Sequence, residues 1–160
     1  MGLDMYLNRE SSFWNQFEKT DDGELITHIP ECKITCNGES LYEGNPKRII
    51  EEVGYWRKAN AIHGWFMQHE GWNDESQSVI IPLNSLKELR NICLTVLNEK
   101  SLAEQFLPVT QGFFFGSYEY DDWYFEELQE TVKIIDKIIE FEESGKNLSD
   151  SSWYEYQASW

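Results

Sequence analysis

Leu3, Met5 and Leu7 alternate with Asp4, Tyr6 and Asn8. That period of two predicts a half-buried strand at the start of the chain. Residues 10–23 are mostly polar apart from Phe13, Trp14 and Phe17, and they end in the turn signal Asp21-Asp22-Gly23. Glu24 to Ile29 and Lys33 to Thr35 read as short strands around Pro30, forming a peripheral hairpin, with Asn37-Gly38 a further turn. Asn45-Pro46 then reads as a helix cap followed by proline at the first helical position. The helix it predicts runs to about Glu70, where Gly71 stops it.

Gln77 to Leu83 reads as a short strand that Pro82 pushes toward a sheet edge. Ser85-Leu86-Lys87-Glu88 is a capping box, followed at helical spacing by Leu89, Ile92, Cys93, Val96 and Leu97. Phe113-Phe114-Phe115 between Gly112 and Gly116 predicts a buried strand or tight loop. Asp121 or Asp122 caps a last helix to about Glu143, with Phe125, Leu128, Val132, Ile135 and Ile139 on its apolar face. Trp153 to Tyr156 completes the pattern as a strand able to pair with the first.

These elements define an α+β fold, a small mainly antiparallel sheet packed with about three helices near 46–70, 86–99 and 122–143. At 160 residues the chain reads as one domain, 1–160. Within it, the polar and turn-rich stretch 10–44 reads as a peripheral insertion.

Composition changes the picture in two ways. The 7 Trp, 8 Tyr and 9 Phe exceed what a core of this size needs, which points to rings at the surface as contact residues. The formal net charge of -16 excludes direct binding to nucleic acid or to an anionic membrane surface. It leaves a solubilising surface, or one that meets a basic partner as a nucleic acid would. Three cysteines, Cys32, Cys36 and Cys93, with no export signal near Met1 and no apolar stretch of about 20 residues, predict a cytoplasmic protein without disulfides.

The segment from Gly54 to Phe66 carries the candidate chemistry. On a helix turning about 100° per residue, Ile49, Val53, Trp56, Asn60, His63 and Met67 share one face. Asn60 and His63 then fall in an apolar arc, where polar atoms need partners. One reading has them satisfied internally, pinning the helix to a neighbouring loop. The other makes Tyr55, Trp56, Arg57, Lys58, Asn60 and His63 a ligand site: ring faces for a base, Asn60 for its edges, and the cations with His63 for phosphate or ribose. Lys47, Arg48, Arg57 and Lys58 place four of the chain's 13 basic residues within twelve positions.

The stretches GLDMYL at the start, GYWRKANAIHGWF at 54–66 and GFFFGSYEYDDWYFEEL at 112–128 resemble a family of small uncharacterised proteins of tailed phages and prophages. The resemblance covers residues 1–8 and 53–143 and leaves 10–44 outside it. It implies an accessory protein acting in the cytoplasm of an infected host bacterium. By analogy with accessory phage proteins of this size, it implies a role against host defence. Three functions follow: a binding protein that sequesters a small anionic, nucleotide-like signal; an acidic inhibitor that mimics nucleic acid and occupies a basic host protein; and a nucleotide-processing enzyme. Self-association stays open.

No catalytic motif, phosphate loop, dinucleotide fingerprint or nucleophile elbow is present, and no cofactor is expected. His28, Cys32 and Cys36 have metal-like spacing without a clear fourth ligand. The carboxylates between Glu119 and Glu143 read as a solvated helix face.

Overall fold

The computed structural model describes residues 2–28, 31–69, 71–112, 115–147, 149 and 151–160. The chain runs β1 (Asp4–Ser12), β2 (Gln16–Lys19), β3 (Leu25–His28), β4 (Cys32–Cys36), β5 (Glu39–Gly44), β6 (Arg48–Arg57), α1 (Asn60–Met67) and β7 (Ser78–Ile81). It continues with α2 (Leu83–Asn98), a 3-10 turn (Lys100–Leu102), α3 (Ala103–Phe106), α4 (Asp122–Glu143) and β8 (Ser151–Ser159). The fold is α+β, as the hydrophobic pattern predicts.

β1 is the second of four antiparallel strands in the order β6-β1-β8-β7. Its alternation sets the two faces of the sheet. Met5 lies opposite Trp56 and Ala158, and Leu7 opposite Gly54 and Tyr156, all facing the helices and all buried. Tyr6 and Asn8 alternate to the other face, where they are half-buried. The final strand pairs with the first along its whole length, Asp4 opposite Ser159 and Ser12 opposite Ser151.

The inner face carries one core. Phe66 of α1 stacks on Tyr156 at 3.9 Å between centroids. Leu86 and Leu89 of α2 and Leu128 and Ile135 of α4 are fully buried in the same cluster. Gly54 is where α4 comes closest to the sheet: a Cβ there would sit 2.7 Å from Ile134 Cγ2. α2 begins one turn earlier than its Ser85 capping box suggests, because Pro82 serves as N-cap. α4 begins where expected, with the Asp121 carboxylate accepting from Tyr124 N at 3.1 Å.

The helix expected over 46–70 is corrected by the structure. Residues 48–57 are strand β6, and only Asn60–Met67 are helical. Ile49, Val53 and Trp56 fit a helical period because β6 carries a bulge: its register against β1 shifts between Leu7 and Asn8. A bulge adds one residue and so breaks the period of two. The charges nearby are satisfied across strands rather than along a helix, with Arg9 paired to Glu51 and Arg48 to Glu10.

β2–β3 and β4–β5 form two separate two-stranded ribbons outside the main sheet. β1 runs to Ser12, inside the stretch 10–44, and pairs there with Arg48. Phe13 N donating to Lys47 O at 3.0 Å adds one backbone bond past that pair. Ile29, Pro30, Glu70, Phe113 and Phe114 lie outside the described residues.

Candidate functional site

The end of β6 and the start of α1 form a sharp corner. Lys58 sits at φ 64°, a left-handed conformation that costs a non-glycine residue of order 1 kcal/mol or more. Two backbone bonds hold it there, Lys58 N to Leu3 O and Asn60 N to Lys58 O, both 2.8 Å. Its aliphatic stem passes between two glycines. A Cβ on Gly2 would lie 3.2 Å from Lys58 Cε, and one on Gly116 would lie 3.1 Å from Lys58 Cβ. Gly116 also has φ 97°, so glycine is required there on two grounds.

Asn60 fastens the opposite wall. Its amide donates to Ser117 O at 2.7 Å and Phe115 O at 3.3 Å, and its carbonyl accepts from Thr110 N at 3.1 Å. Ser117 in turn donates to Asp121, the cap of α4, at 3.2 Å. A cleft of about 600 Å³ opens between these walls. Arg57, Lys58 and Asn60 line one side, and Gly116, Ser117 and Glu119 the loop. Asp121, Trp123, Tyr124 and Glu127 of the first turns of α4 close it. Trp123 is 72% exposed, a bare indole at the rim. Tyr124 is buried and donates to Leu107 O at 2.8 Å, so it belongs to the floor.

Burial, reinforced by the Asp121 carboxylate, pushes the Glu127 carboxyl up to about 8. At neutral pH this group is mostly a neutral hydrogen-bond donor. The cleft's remaining charges are then Arg57 and Lys58 against Glu119 and Asp121.

The six residues singled out in the sequence do not converge. Arg57, Lys58 and Asn60 line the cleft. Tyr55 and Trp56 point to opposite faces of β6: Tyr55 is 43% exposed and donates to Asp4 at 2.6 Å, whereas Trp56 is buried and donates to Thr131 Oγ1 at 2.9 Å. The shared helical face assigned to Trp56, Asn60 and His63 is thus corrected, because Trp56 lies on a strand. His63 is fully buried, with Nδ1 2.7 Å from the Tyr156 hydroxyl. The rings of Trp72, Phe115 and Trp160 pack edge-on to it at 5.1–5.8 Å, and Nε2 has no hydrogen-bond partner. Burial pulls the His63 pKa down to about 4.

Sequence reasoning does not single out Trp123, and it counts Glu127 among the carboxylates of a solvated helix face. The rest of that face is as expected: Glu126, Glu130, Asp136 and Glu140 are exposed or half-buried. The three cysteines are free, and burial pushes the Cys93 thiol up to about 12, far from a reactive thiolate. Among the described residues no three His, Cys, Asp or Glu side chains gather as a metal site, and no helix is long and apolar enough to cross a membrane. Comparison with protein-family profiles, with curated proteins and with solved structures finds no match to this chain.

Proposed function

We propose that this protein binds a small anionic, nucleotide-like ligand in the cleft at the β6–α1 corner, and that as a phage accessory protein it thereby withholds a host defence signal. The observation that carries the reading is the placement of the Arg57 and Lys58 cations in one cleft with the bare ring of Trp123. A cation pair suits phosphate, and an exposed indole suits a base. Three features support it. The volume is that of a site for a drug-sized ligand. The cleft sits at the N-terminal turn of α4, where the helix dipole favours negative charge. Glu127 held neutral removes a charge that would repel an anion. The proposal is binding rather than turnover: the cleft's hydroxyl–carboxylate pair, Ser117 and Asp121, serves the loop and the cap of α4.

Isothermal titration with nucleoside mono-, di- and cyclic phosphates, alongside the uncharged nucleosides, tests it. A phosphate-bearing ligand should bind, and the Arg57→Ala/Lys58→Ala double variant should weaken it by at least about tenfold, or 1.4 kcal/mol. Equal affinity for the uncharged nucleoside, or no effect of the double variant, would overturn it.

A further inference from the structure

The second face of the main sheet has no helix of its own. Strand register puts Tyr6, Asn8 and Glu10 of β1 outward, opposite Tyr55, Glu52 and Ile50 of β6 and Gln157, Glu155 and Trp153 of β8. Ile80 of β7 extends the row beside Glu155. Ile50 is 55% exposed and Ile80 60% exposed, and Tyr6 and Tyr55 pack ring to ring at 5.4 Å. Open antiparallel sheets usually turn polar residues to water, so a row of aromatic and branched apolar side chains here points to a contact surface.

The charges on this face select the partner. Arg57 is engaged by Asp4 at 3.8 Å and Arg48 by Glu10 at 3.0 Å, while no cation among the described residues pairs with Glu52 or Glu155. Glu10 is 4% exposed, lodged between Ile50 and Trp153. Its Oε2 is taken by Arg48 Nη1 at 3.0 Å, which leaves Glu52 and Glu155 as the carboxylates this face offers a partner. Two carboxylates that flank Asn8 without a cation of their own are a seat for an ammonium or guanidinium group. A second copy of this chain would set the same carboxylates against each other, which disfavours self-association through this face.

We propose that the open face of the main sheet docks a basic protein segment in which lysine or arginine alternates with apolar residues. The cations meet Glu52 and Glu155, and the apolar residues meet Ile50, Ile80 and Trp153. Three strands of nine or ten residues and one of four, about 4.8 Å apart, give roughly 400–500 Å². That is less than the ~800 Å² per partner of a standard interface, so the face suits a segment rather than a whole globular surface. The net charge of -16 steers such a partner from a distance.

The test uses the full chain, ¹⁵N-labelled, titrated with a synthetic 12-residue peptide of alternating lysine and leucine and with its glutamate–leucine counterpart. Amide shifts confined to β1, β6, β7 and β8, for the lysine peptide alone, are expected. Glu52→Gln/Glu155→Gln and, separately, Ile50→Ser should each weaken the peptide at least tenfold, and Lys58→Ala should not. Glu52 and Ile50 are exposed and Glu155 is half-buried, and the spectra themselves report that each variant keeps the fold. Shifts centred on the α4 carboxylates would overturn the proposal as generic polycation attraction. Sensitivity to the carboxylates without sensitivity to Ile50 would overturn it in the same way. Concentration-dependent dimerisation through this face would overturn it in favour of a second copy.

Discussion

Asn60 donates to the Ser117 carbonyl across 2.7 Å, and this bond ties the loop wall of the cleft to the first residue of α1. Replacing Asn60 by Ala also strands Phe115 O and Thr110 N. Each orphaned buried group costs about 1–3 kcal/mol. Asn60→Ala should therefore lower stability in urea titrations by at least that amount and weaken ligand binding through loss of the wall. Unchanged stability with lost binding would make Asn60 a direct ligand contact instead.

His63 should make the fold acid-sensitive within a defined window. Its folded pKa, about 4, lies below the ordinary value of 6.5. The unfolded chain therefore binds the proton first, and stability falls as pH drops from about 6.5 to 4 and is level below. The span corresponds to roughly 3 kcal/mol at about 1.4 kcal/mol per pKa unit. Urea midpoints of wild type and His63→Gln across pH 7 to 4 check it: the difference between them should shrink or reverse over that window.

Glu127 has the opposite sign. Its folded pKa of about 8 lies above the ordinary 4.5, so the folded chain binds the proton more tightly than the unfolded one. Stability is full below about 4.5 and falls as pH rises to about 8. Glu127→Gln, a neutral isostere, should gain on wild type from pH 4.5 upward and hold a constant advantage beyond pH 8. A Glu127→Gln variant less stable than wild type at pH 9 would contradict the neutral carboxyl.

The ribbons between β1 and β6 should be dispensable for the main fold. Ser12 pairs with Arg48, and Phe13 N donates to Lys47 O, so the neck of the excursion closes on itself. Replacing residues 15–45 by a short Gly/Ser turn should leave cooperative thermal unfolding intact. Loss of cooperativity would show that the ribbons belong to the main core.

Much of this fold was legible from local pattern. The period of two in Leu3-Met5-Leu7, the Asp121 cap of α4, and Phe125, Leu128 and Ile135 on its buried face follow from short-range signals, whereas Val132 and Ile139 are only half-buried and Ile134 and Ile138 take the deeper places. β6 was not, because one bulge turned its alternation into an imitation of a helical face and Asn45-Pro46 imitated a helix start. The cleft was legible by half. Arg57, Lys58 and Asn60 stand out as a basic and polar island, but Trp123 and Glu127 reach it only through tertiary packing. No spacing along α4 separates Glu127 from its solvated neighbours; burial beside Asp121 does.

The indole N–H signals give the most direct test that the cleft is a ligand site. Of the seven tryptophans, Trp123 stands bare at the rim, while Trp56 is buried and bonded to Thr131 at 2.9 Å. Titrating nucleoside diphosphates and cyclic nucleotides into ¹⁵N-labelled protein should move the Trp123 indole resonance and leave Trp56 and Trp153 in place, and in Arg57→Ala/Lys58→Ala it should move none of the three. A Trp123 signal that no phosphate-bearing probe moves, or a shift centred on another tryptophan, would contradict the account.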